Sequence, residues 1–166
     1  CSGLRGQFAV EAVTVVPTRE GGVVVPPPPL DTPEAELAYI RQYMPIKFGS
    51  ALFSKLRRSY WERPNVVGKP LVFAIEDFSS PASMTHTGSA LDTYLYGYEQ
   101  DWECDPAGNV MIIPRKIETH QWGEKLIPSG FFDLPGAENI SAVLFSNSGT
   151  IAKFSRMGVI AGFGSP

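Results

Sequence analysis

The sequence predicts an α/β fold: a mixed sheet built on a strand–helix–strand crossover, with helices packed on the sheet and a β-hairpin besides. Three observations predict it. Residues 7–16, "QFAVEAVTVV", and residues 71–75, "LVFAI", are short, apolar and rich in β-branched side chains, which is the signature of strands. Between them lie two helical patterns, and a strand, a helical crossover and another strand close into a right-handed parallel unit. Further on, "DWECDPAGNVMIIP" holds two strand-like runs joined by the turn residues 105–109. The 166 residues suit one domain, 1–166, with 43% hydrophobic and 19% charged residues. Cys1 opens the chain and "GVIAGFGSP" closes it, so the expectation is a piece of a longer protein.

In chain order, residues 7–16 do not alternate cleanly, which predicts a strand buried on both faces with Glu11 in its middle. Residues 17–30 form a Pro/Gly-rich connector whose four successive prolines favour polyproline II. A stiff spacer is the plain reading, and a docking segment for an aromatic groove is the functional one. Asp31, Thr32, Pro33 and Glu34 make a helix start: a cap, a proline suited to the first turn, and a carboxylate at the positive end of the dipole. That helix is expected to run to Tyr43, where Pro45 disturbs it. A second helix over residues 46–61 aligns Phe48, Leu52, Leu56 and Tyr60 on one face and leaves Lys47, Lys55, Arg57 and Arg58 off it. "RPNVVGK" reads as a loop, and "SSPASMTHTGS" as another, carrying His86. "ALDTYLYGY" is a short helix ending at Gly97. "ENISAVLFSNSG" is a buried strand, and "TIAKFSRMGVIAGFG" a further strand broken at Gly158 and Gly162.

Composition excludes several classes. A net charge of −3 argues against a broad basic surface, though not against a local one. Two cysteines make no disulfide framework, and with no signal segment the expected compartment is cytoplasmic. No apolar run is long enough for a membrane span. Ser50 in "FGSAL" lacks the second glycine of a nucleophile elbow. His86 and His120 lack metal-ligand spacing, and Ile112 stands where a calcium loop needs its glutamate.

What remains is carboxylates and cations. Glu11 on one strand and Asp77 at the carboxyl end of the next are candidates for one metal site, since ligands of such sheets bind beyond the carboxyl ends of the strands. Mg2+ or Mn2+ is the expected ion. Lys47 or Lys55 on the crossover helix is the candidate catalytic cation beside Glu11. Arg57 and Arg58 are candidates for phosphate contact on nucleic acid.

This strand bearing Glu, then a helix, then a parallel strand resembles the later half of the PD-(D/E)XK nuclease fold. The resemblance implies a metal-dependent phosphodiester hydrolase, or an inactive relative. The family's Glu-x-Lys is not present, because Ala12 and Val13 follow Glu11, and the lysine then comes from the helix, as in some members. Only ten residues precede Glu11, so the family's earlier Asp strand has no counterpart. The blocks "YMPIKFGSALFSKLRRSYW", "GKPLVFAIEDF" and "LDTYLYG" also resemble an uncharacterised bacterial family, over residues 36–164, from which no activity follows. Two alternatives stand beside the hydrolase. A non-catalytic binding or assembly module predicts a contiguous exposed apolar patch. A scaffold fragment has its chemistry elsewhere.

Overall fold

A computed structural model describes residues 6–80, 83–146 and 151–162, with the side chains of residues 83–87, 151–154 and 157 outside that description. The first strand, β1 (Ala9–Val15), is followed by a minimal hairpin within the connector, β2 (Arg19–Glu20) and β3 (Val23–Val24). Helix α1 (Pro33–Ala38) starts as its sequence demands: Thr32 accepts a hydrogen bond from the Ala35 N–H, and Pro33 occupies the first turn. A π-helical turn, Tyr39–Tyr43, then leads directly into α2 (Met44–Leu56).

Pro45 therefore does not end the helix. It has no N–H for the Arg41 carbonyl four residues back, and the π turn absorbs the misfit. The ring of His120, from a distant strand, sits with Nδ1 at 3.0 Å from that carbonyl. A carbonyl only accepts, so Nδ1 carries the proton and Nε2 faces the Ser129 hydroxyl at 2.9 Å.

β4 (Leu71–Asp77) pairs in parallel with β1, and α3 (Ser83–Tyr96) leads on to β5 (Tyr98–Cys104) and β6 (Val110–Lys116), an antiparallel hairpin. A second hairpin, β7 (Thr119–Trp122) with β8 (Lys125–Pro128), precedes β9 (Ala142–Ser146) and α4 (Ile151–Ile160). The main sheet has the order β1-β4-β9, all parallel. This is the expected α/β architecture, with the crossover in place, but the main sheet is parallel throughout and not mixed, the antiparallel pairs forming separate two-stranded sheets. One core cluster joins the sheet to α2 and α3, with Phe48, Leu52, Phe73, Ile75, Tyr94 and Phe131 at its centre. Phe48, Leu52 and Leu56 are buried along α2 as their spacing predicts, and Tyr60 is buried beyond the end of that helix.

Four further expectations are corrected. β1 is an edge strand with one face exposed, so its unclean alternation reflects a half-buried position, not two covered faces. The segment containing His86 belongs to α3, whose backbone begins at Ser83; the His86 side chain lies outside the described residues. Residues 151–160 are helical, because Ile151, Phe154 and Met157 recur every three residues and outweigh the β-branched content. The second helix ends at Leu56, and Tyr60 sits in a separate 3₁₀ turn (Tyr60–Glu62) behind Ser59 in the left-handed region, φ 44°.

Candidate nucleic-acid interface

The register of β1 on β4 decides how the candidate residues group. Glu11 pairs with Phe73, and Asp77 pairs with Val15. Paired residues of a parallel ladder share a face, so Glu11 and Asp77 point to the same side. They are four residues apart along the strands, which at ~3.3 Å per residue is ~13 Å. Helix α2 crosses back over the same face. Lys47 and Lys55 are eight residues apart on it, ~12 Å at 1.5 Å per residue. The two ladders match, and each carboxylate faces a different lysine.

At the carboxyl end of the sheet, Asp77 is fully buried and accepts the Ser79 N–H at 2.8 Å. Lys47 Nζ donates to the Val16 carbonyl at 3.0 Å and to Thr18 Oγ1 at 2.8 Å. Burial pushes the Lys47 pKa down, against the pull of Asp77. Burial pushes the Tyr39 and Tyr43 hydroxyls up, and the charge of Asp77 adds to this. This cluster ties the strand ends to the loop after β1. Glu11 and Asp77 do not converge on one ion, and Lys47 does not share an edge with Glu11. The cause is register, which composition does not encode.

At the other end of the sheet, Lys55 Nζ donates to Glu11 Oε1, and the two side chains are 16% and 26% exposed. Burial alone would raise the Glu11 pKa. Hydrogen bonds from Lys55 and Tyr60, with the charges of Lys55 and Arg63, outweigh it and hold the carboxyl below its usual range. Tyr60 is the hub. Its ring lies 5.5 Å from Lys55 Nζ and 4.0 Å from the Arg63 guanidinium, and its hydroxyl accepts from Arg58 Nη1 at 3.3 Å. Beside this hub opens a hollow of about 270 Å³, lined by Phe8, Val10, Glu11, Arg63, Asn65 and Lys69 among others. Ser59 places the hub, since its left-handed backbone turns the chain from the end of α2 into the Tyr60 turn.

The "RPNVVGK" loop supplies the remaining cations. It is a compact turn, not a loose one: Val66 and Val67 N–H groups donate to the Arg63 carbonyl at 2.8 and 2.9 Å, and Lys69 Nζ donates to the Asn65 carbonyl at 3.0 Å. The turn folds Arg63 and Lys69 back onto one hollow. Lys55 thus pairs with Glu11, Arg58 and Arg63 lie on Tyr60 beside it, and Arg63 and Lys69 line the hollow with Glu11, the exposed Glu62 being the other carboxylate on this stretch. Arg57 stands apart: its guanidinium lies 6.0 Å from the Phe53 ring and it lines a different hollow with Lys125.

Of the expected site residues, the structure therefore unites Glu11, Lys55 and Arg58, and separates Lys47, Asp77 and Arg57. The site also lies at the amino ends of β1 and β4, not beyond the carboxyl ends. Arg63 and Lys69 were missed in the sequence. The signal was two basic residues bracketing a Pro-Asn turn at the entrance to a buried strand. A divalent ion held by Glu11 and Asp77 does not fit this geometry, and Glu11 is already engaged by an ammonium group. Among the described residues no group of three or more His, Cys, Asp or Glu side chains is placed to hold a metal ion. No family model matches the chain, and no curated protein or solved structure matches it either.

Proposed function

We propose that the protein recognises nucleic acid by its phosphodiester backbone, in the hollow at the amino ends of β1 and β4. The observation that carries this is that Arg63 and Lys69 line one hollow, with Lys55 paired to its Glu11 and Arg58 bonded to its Tyr60, in a chain whose net charge is −3. Such a local surplus attracts an anion and disfavours a free metal cation. Arg63 is exposed and Lys69 half-buried, so both can meet a phosphate without unfolding the turn. Lys55 pairs with Glu11, the carboxylate that lines the hollow, and so offsets its charge. Because the whole chain is acidic, binding is modest and strongly salt-dependent.

The test is fluorescence anisotropy of a labelled 12-nucleotide oligomer at low salt, with wild type and the Arg63→Gln/Lys69→Gln variant. The variant is expected to bind at least ~10-fold more weakly while retaining the wild-type circular dichroism. Equal affinity overturns the reading. Adding Mg2+ or Mn2+ to the same mixture tests hydrolysis: cleavage by wild type that is lost in Glu11→Gln would replace recognition by a nuclease reading.

A second reading, as an assembly module, draws on the β5–β6 hairpin. Trp102 and Ile112 are cross-strand partners, 67% and 65% exposed, with Val110 on the same face at 65%. Sedimentation of the full chain tests it, since self-association through this face is lost in Trp102→Ser.

A further inference from the structure

We propose that the hollow takes single-stranded nucleic acid, with one base stacked on Phe8 while the adjoining phosphates meet Arg63 and Lys69. The inference rests on the phosphodiester reading above and adds to it which form of the polymer is bound.

Phe8 immediately precedes β1. Its neighbour Ala9 is anchored by its N–H to the Pro70 carbonyl at 2.8 Å, so the backbone that carries the ring is fixed. The ring itself is 64% exposed, although it lines the hollow. It makes no ring–ring contact among the described residues. Val10, two residues on, is 51% exposed on the same rim and adds to the apolar lining. The hollow is therefore lined both by apolar side chains, Phe8 and Val10, and by basic ones, Arg63 and Lys69.

That pairing suits a nucleotide better than a bare phosphate. A free anion needs only the basic side chains. A base needs a π-face, and every base presents one. The Asn65 amide on the same rim makes no side-chain hydrogen bond to the protein among the described residues, and it can meet a base edge. A duplex keeps its bases stacked inside and offers Phe8 only sugar and phosphate. The ring then adds affinity for single strands alone.

The experiment is anisotropy at one low salt concentration with a labelled single-stranded 12-mer and the same sequence as a duplex. Wild type is expected to bind the single strand at least ~10-fold more tightly than the duplex. Phe8→Ala is expected to lose roughly 5- to 160-fold on the single strand and to leave the duplex unchanged, the range that stacking of one base covers. Phe8→Trp, which keeps a stacking face, is expected to retain the wild-type affinity. Phe8 is exposed, so thermal melting of the variants should match wild type. Equal affinity for both forms, or Phe8→Ala binding the single strand as wild type does, overturns the stacking proposal and leaves the phosphodiester reading intact. Failure of wild type to bind either form overturns both.

Discussion

Replacing Glu11 by Gln separates the structural role of this carboxylate from its effect on a bound anion. The Glu11–Lys55 pair is partly buried. Exposed ion pairs contribute up to ~1 kcal/mol and breaking a buried one costs ~3–5 kcal/mol, so loss of this pair should cost about 1–2 kcal/mol. For a chain of this length that lowers Tm by roughly 2–8 °C. The carboxylate also opposes any phosphate in the hollow. For a phosphate ~7 Å away, Coulomb's law gives ~0.6 kcal/mol at the permittivity of water and ~2.4 kcal/mol at an effective value of ~20. Glu11→Gln removes that repulsion and releases Lys55, so oligonucleotide affinity should rise about 3- to 60-fold as stability falls. Anisotropy and thermal melting on the same samples read both quantities. A variant that binds more weakly than wild type would refute the reasoning, because the carboxylate would then serve the ligand instead of opposing it.

Three further outcomes follow from the fold. Ser59→Gly relieves a left-handed backbone at φ 44°; after the entropy cost of glycine the net gain should be about 0.5–1 kcal/mol, seen as a rise in Tm of roughly 1–4 °C. Gly49→Ala would put its Cβ 2.6 Å from Tyr94 Cε2 and 2.7 Å from Ile127 Cδ1, and since that ring is fully buried, denaturant melting should show a loss of about 1–3 kcal/mol. Burial holds the His120 pKa below its usual value, against its bond to Arg41 and the charge of Glu99. The unfolded chain therefore binds more protons there, so stability should fall as pH drops below about 6.5, and His120→Gln should flatten that slope in melts between pH 7.5 and 5.

The α/β fold was readable because its signals are local. The four-residue spacing of Phe48, Leu52 and Leu56 forces one buried stripe, and the short run at Leu71 has the length and bulk of a covered strand. The turn at Asp105 is equally local: its carboxylate accepts the Ala107 and Asn109 N–H groups at 2.9 and 2.8 Å. Register was not readable. Nothing in "VEAVTVV" or "VFAIEDF" says that Glu11 faces Phe73 instead of Asp77, yet that offset divides the expected site in two. Lys55 was found because it shares α2 with the buried stripe, and Arg58 because it follows that helix directly. Arg63 and Lys69 were hidden in a loop whose internal hydrogen bonds turn it back on itself. The helix at Ile151 was mistaken for a strand because isoleucine and valine carry the strand signal even where the spacing is helical.

The most direct test of phosphodiester recognition at Arg63 and Lys69 is the salt dependence of affinity for the single-stranded oligomer. Two phosphate contacts, at Arg63 and Lys69, predict a slope of log K against log salt near about −1.4. Between 50 and 200 mM salt this corresponds to a loss of about 7-fold. Arg63→Gln and Lys69→Gln should each flatten the slope by about 0.7. A slope near zero in wild type, or one that neither substitution changes, would contradict phosphate binding at this hollow.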